Sequence, residues 1–155
     1  MKTNRNLHLD RRQLLASAGG AIAITATPLT AFAAQEDLER ARTDLFGNRV
    51  IQDGRVTLKL PPIAENGFSV PLDISVDSPM TPDDYVQRVA ILSPRNPLPL
   101  IGVFHLSPHA GLARVSTRIR MSGTQEIEAV AEMNDGSLWS GRMETVVTLA
   151  AGVVL

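Results

Sequence analysis

The stretch VPLDISV, residues 70–76, sets Val70, Leu72, Ile74 and Val76 in strict alternation with Pro71, Asp73 and Ser75. A period of two sends the four apolar side chains to one face of an extended chain, which defines a half-buried strand. RVTLKLP, residues 55–61, repeats the pattern with Val56, Leu58 and Leu60 around Thr57 and Lys59. The same alternation predicts strands over Tyr85–Leu92, Leu100–Leu106, Ala113–Met121, Ile127–Met133 and Leu138–Leu149, about seven in all.

Between these runs lie PPIAENG, SPMTPDD, SPRNPLP, SPHAG, SGT and NDG, all rich in the residues that reverse a chain. Short strands with turns this frequent predict an all-β fold, an immunoglobulin-like antiparallel β-sandwich. Ahead of it, Leu38, Ala41, Leu45 and Phe46 recur at helical spacing among charged residues and stop at Gly47. This predicts one short N-terminal helix over residues 34–47, with the sandwich at 48–149.

Residues 1–33 read as an export leader. Arg11 and Arg12 precede an apolar, alanine-rich stretch that ends in Ala31-Phe32-Ala33, a small-x-small cleavage site. Gly19, Gly20 and Pro28 interrupt that stretch, so a membrane span is not expected, and nothing should hold the chain to a membrane after cleavage. The arginine pair followed by Gln13-Leu14-Leu15 matches the twin-arginine type of signal, whose pathway exports folded proteins. The expected location is therefore the periplasm. With no cofactor motif in the chain, the companion of such an export is expected to be a signal-less protein partner.

Removing Lys2, Arg5, Arg11, Arg12 and Asp10 from fifteen basic and sixteen acidic residues leaves 11 and 15, a net charge of −4. That balance argues against nucleic-acid binding. The chain has no cysteine, so no disulfide braces it in an oxidising compartment.

Candidate chemistry is sparse. His105 and His109 are four apart, but Pro108 separates them and no Asp, Glu or Cys stands near to complete a metal site. Asp83-Asp84 reads as a turn or strand start, and Trp139 as a core or sheet-edge aromatic. No G-x-S-x-G and no phosphate-cradling glycine loop occurs. An enzyme is not expected, and neither a metal nor a cofactor is. Arg114, Arg118 and Arg120 share one strand face, and Glu126, Glu128 and Glu132 share another. A hairpin at MSGTQE would ladder them across the pair; the alternative is an arginine surface that meets an anion or an acidic partner.

Four stretches together are more specific: PPIAENGFSVP (61–71), VDSPMTPDDYV (76–86), SPRNPLPLIGVFHLSP (93–108) and ARVSTRIRMSGTQEIEAVAEMNDG (113–136). They resemble the SoxY family, the carrier subunit of periplasmic thiosulfate oxidation. The resemblance implies a heterodimer with a SoxZ-type protein and visits to other enzymes of thiosulfate oxidation. It also implies a C-terminal Gly-Gly-Cys-Gly-Gly arm whose thiolate is loaded with thiosulfate by a haem protein.

Here that arm falls at residues 150–155, on Ala150, Ala151, Gly152, Val153 and Val154. Gly152 stands at the sulfur-carrier position, and the thiol is absent. The expected function is an exported SoxY-type subunit that pairs with a SoxZ-type protein without itself carrying sulfur. Two alternatives stand beside it: a true carrier whose C-terminus is read in a shifted frame, and a SoxYZ-like binding subunit of another periplasmic system such as a quinoprotein dehydrogenase. A one-base shift of Gly-Gly-Cys codons yields Ala-Ala and then only Ala or Val, so Gly152 argues against the simplest shift. Stiff valines in place of glycines also predict a tail that extends the last strand or packs on the partner.

Overall fold

The computed structural model describes residues 29–151. The expected leader therefore lies outside the described residues except for its last five positions, and so do Gly152, Val153 and Val154 of the degenerate arm.

Helix α1 spans Leu29–Phe46, beginning ahead of the expected cleavage point, in keeping with the high helix propensity of the alanines at 31, 33 and 34. It ends where Gly47 takes φ +65° and donates its N–H to the Thr43 carbonyl at 2.8 Å. Leu38, Ala41, Leu45 and Phe46, the expected apolar stripe, pack on Ala90, Leu92, Val130 and Leu138.

Nine strands follow among the described residues: β1 (Ile51–Asp53), β2 (Val56–Lys59), β3 (Ile63–Asn66), β4 (Val70–Val76), β5 (Val86–Leu92), β6 (Leu100–His105), β7 (Arg114–Ile119), β8 (Gln125–Met133) and β9 (Leu138–Leu149). They form two sheets. The larger runs β1-β9-β8-β5-β6, with β3 also on β9, and the smaller runs β2-β4-β7. The all-β, immunoglobulin-like sandwich is as expected. The helix covers the outer face of the large sheet, so β8 is covered on both sides and is buried at every position but Glu126.

Two strands exceed the seven expected. β1 and β3 both pair parallel with β9, Ile51 opposite Leu138 and Ile63 opposite Val146. PPIAENG was expected to be a turn because Pro-Pro and Asn-Gly flank it, yet Ile63–Asn66 finds its ladder in a strand eighty residues away. Residues that far apart leave no local signature.

The expected hairpin between β7 and β8 does not form. β7 pairs with β4 in the small sheet, and β8 lies in the large one between β5 and β9. The connection crosses from sheet to sheet and is held there by side chains. Gln125 accepts from the Ser93 hydroxyl at 2.7 Å, and Asn96 accepts from the Ser122 N–H at 3.0 Å and donates to the Arg120 carbonyl at 2.8 Å. Ser-Gly-Thr suits a crossing as well as a hairpin, so local turn chemistry does not distinguish them.

Candidate functional site

β9 is the longest strand, twelve residues, and delivers the chain to the position of the arm. Its exit is tied by backbone hydrogen bonds to two loops that also bond each other. Gly67 donates to the Leu149 carbonyl at 2.8 Å, Met121 donates to the Gly67 carbonyl at 2.8 Å, and Ala151 donates to the Met121 carbonyl at 3.1 Å. Val147 N–H reaches the Thr124 hydroxyl at 3.0 Å, and the Thr148 hydroxyl donates to the Ala64 carbonyl at 3.2 Å. The arm root thus sits between the two sheets, held by the loop before β4 and the crossing after β7.

Of the degenerate arm, Ala150 is exposed while Ala151 is 2% exposed, close to the fully buried Met121. The strand stops at Leu149, so the first two arm residues do not extend β9. Ala151 packs into the chain's own sandwich, its N–H held by the Met121 carbonyl.

Gly67 is required by space. A Cβ there would lie 2.3 Å from the Met121 oxygen and 2.8 Å from the Ala151 nitrogen. Gly67→Ala is expected to force the arm root outward, at a cost of about 1–3 kcal/mol. Hydrogen exchange at the Ala151 amide should then accelerate markedly. Unchanged protection at that amide would remove Gly67 from the clamp.

The carboxylates expected to ladder with β7 serve a different purpose. Glu128 and Glu132 face the helix side of β8, with side chains 4% and 11% exposed. Glu128 accepts from Arg142 at 2.9–3.0 Å and from Arg42 of the helix through two guanidinium nitrogens, one at 3.0 Å. Glu132 pairs with Arg49 at 2.6 Å and with Arg88. Those two arginines also cap the helix end, Arg88 donating to the Leu45 carbonyl at 2.7 Å and Arg49 to the Phe46 carbonyl at 2.9 Å.

Burial acts against a charged Glu132, but the hydrogen bonds and charges of Arg49 and Arg88 outweigh it and hold the carboxyl below its ordinary range. Burial likewise acts against a charged Arg42, and its contacts with Glu128 and Glu39 outweigh that penalty and hold its proton more tightly than usual. Beside this lattice, a cleft of about 370 Å³ opens between helix and sheet, lined in part by Arg42, Arg49, Arg142, Glu39 and Glu128. Its arginines are already committed to carboxylates, so it offers no free cation to an anionic ligand.

Arg42, Arg49, Arg88, Arg142, Gly67 and Met121 were not singled out in the sequence. Only the count of arginines against glutamates hinted at the lattice. His105 and His109 are both exposed, and among the described residues no group of three or more His, Cys, Asp or Glu could hold a metal. Asp84 closes a turn with Thr81 and lies 3.9 Å from Arg55. Trp139 is half-buried on the core, with the Arg55 guanidinium 5.4 Å from its ring centre.

The described residues thus form a two-sheet sandwich whose last strand runs into a clamped arm root. The family model described as sulfur oxidation protein SoxY matches residues 42–152. The chain belongs to the SoxY family. Among solved structures, the sulfur carrier protein SoxY from Chlorobium limicola f thiosulfatophilum aligns with a TM-score of 0.63 at 29% identity, over 74% of this chain and 99% of that one. A superoxide reductase (neelaredoxin) from Ignicoccus hospitalis aligns with a TM-score of 0.53 at 17% identity, over 61% of this chain and 80% of that one. A superoxide reductase described as putative, from Thermotoga maritima, gives 0.52 at 15% identity, over 63% and 93%. These last two share the fold alone. No curated protein matches the chain.

Proposed function

We propose that this chain is an exported SoxY-type subunit of a periplasmic thiosulfate-oxidation system that pairs with a SoxZ-type protein and does not itself bear the sulfur. One observation carries the reading: a SoxY sandwich, complete to the anchored arm root, occurs in a chain with no cysteine. Thiosulfate can be held covalently by a protein only through a group such as a thiolate, and Ala150, Ala151, Gly152, Val153 and Val154 supply none. What is left of the carrier's work is recognition. The sandwich presents a partner surface and occupies a carrier's place in the assembly.

Co-expression with a SoxZ-type protein, followed by size-exclusion chromatography, tests the pairing. A stable heterodimer burying on the order of 1,200–2,000 Å² is expected. Elution as a lone monomer at micromolar concentration would refute it. The leader is tested separately: replacing Arg11 and Arg12 with lysine should retain the protein in the cytoplasm, and normal export of that variant would exclude the twin-arginine route. Sequencing the gene through its 3′ end, with the intact mass of the purified protein, decides against or for a carrier with a shifted frame.

A further inference from the structure

The eleven arginines and lysines of the described residues divide into two groups. Arg40, Arg42, Arg49, Arg55, Arg88 and Arg142 each stand in a salt bridge. Lys59, Arg95, Arg114, Arg118 and Arg120 stand in none among the described residues, and all five are exposed. Four of these lie together. The registers place Lys59 of β2 opposite Asp73 of β4, Asp73 opposite Ser116 of β7, and Pro71 and Ser75 opposite Arg118 and Arg114. Alternation then puts Lys59, Arg114 and Arg118 on the outer face of the small sheet. Arg120, one step beyond β7, lies over the exposed Phe68 ring at 5.6 Å from its centre.

Asp73 is the single carboxylate that the strands β2, β4 and β7 place on this face, and it accepts from the Ser116 hydroxyl. The chain between Tyr85 and Gln125 contains no Asp or Glu at all, although the acidic residues outnumber the basic ones elsewhere. The glutamates that could have neutralised these arginines lie in the other sheet, Glu128 and Glu132 engaged with arginines at the helix and Glu126 nearest Arg142. An exposed cluster of like charges is unfavourable unless something outside the chain offsets it.

We propose that the outer face of the small sheet, centred on Arg114, Arg118 and Arg120, is a docking surface for the acidic face of a partner protein. A protein fits better than a polyphosphate. Asp73 in the middle of the patch repels a uniform polyanion but matches a basic residue set among acids, and the acidic remainder of the chain repels nucleic acid. Phe68 under Arg120 adds an apolar contact of the kind found in protein interfaces. Three short strands about 4.8 Å apart give less area than a permanent interface needs, so the contact is transient and depends on salt.

The test is a nitrogen-15 NMR titration of the full chain at low salt with a glutamate-rich peptide of about 20 residues carrying a central lysine, beside an all-glutamate peptide of the same length, the first expected to bind more tightly. Shifts are expected at Lys59, Arg114, Ser116, Arg118 and Arg120 and should vanish at high salt. The triple variant R114Q/R118Q/R120Q should bind both peptides about tenfold more weakly, and D73N should bind the all-glutamate peptide more tightly and lose the preference for the lysine-bearing one, so the second variant decides the matter should the first fail to fold. Affinity unchanged in both folded variants, or shifts confined to the helix, would overturn the proposal. Tighter binding of a DNA 20-mer or of phosphatidylglycerol vesicles at the same salt would overturn it too, in favour of those partners. The chain is used alone, so the result does not depend on its pairing with a SoxZ-type protein.

Discussion

Glu128→Ala is expected to lower folding stability by about 3–5 kcal/mol, the loss typical when one side of a buried ion pair is removed. Its carboxylate is 4% exposed and is shared by Arg42 of the helix and Arg142 of β9, so its removal leaves two guanidinium groups facing an empty site. Glu126, one step along the outward face, is 57% exposed and lies 4.0 Å from Arg142 at its nearest. Glu126→Ala should therefore cost about 0–1 kcal/mol. Urea midpoints at pH 7, with unchanged slopes, measure both. A solvated β7–β8 ladder would have made the two glutamates equivalent, so equal losses would discard the buried lattice.

The same lattice sets an acid limit. Burial opposes the charge on Glu132, and Arg49 and Arg88 overcome it, so its carboxyl is more acidic in the fold than in the unfolded chain. Its stabilising contribution is complete above the unfolded value, about 4.3, and is lost as pH falls through the lower folded value. Glu132→Gln should flatten the acid limb of the stability profile while lowering the neutral plateau.

The second large effect is an absence. Intact-mass spectrometry after incubation with thiosulfate, with and without the haem enzyme that loads SoxY proteins, should show no adduct on this chain. A covalent adduct would end the non-carrier proposal. Gly152→Cys returns a thiol, but the residue before it is buried and its N–H is held by the Met121 carbonyl. One residue of chain extends at most about 3.6 Å, so a held Ala151 limits how far the new sulfur can reach. Loading should remain poor in that single variant and rise when Ala150, Ala151, Val153 and Val154 also become glycine, since glycine both frees the root and slims the arm. Equal loading of the two variants would show that the clamp at Ala151 has no influence on delivery.

The sandwich was legible because its central strands carry period two over six or more residues. Val70–Val76 buries Val70, Leu72, Ile74 and Val76, as its alternation requires. β1 and β3 were not legible, being three and four residues long and dependent on a distant strand. The grouping of Glu128 and Glu132 on one face was correct, but the identity of their partners was not. That depended on which sheet β8 joins, a question decided by the contacts of Asn96 and Gln125 around the crossing. At the arm, the sequence revealed the missing thiol. The clamp through Gly67 and Met121 is made of backbone groups, which carry no residue-type signature beyond a glycine among turn residues.

The direction of β9 has a mechanical consequence. β1 and β3 run parallel to it along one edge, and β8 runs antiparallel along the other. A pull on the chain beyond Ala151 acts along the strand axis and across its hydrogen bonds. The ladders on both edges are then loaded in shear, many bonds at once, and do not unzip one by one. A tether attached at the carboxyl end would transmit tension into the sandwich without peeling its last strand away.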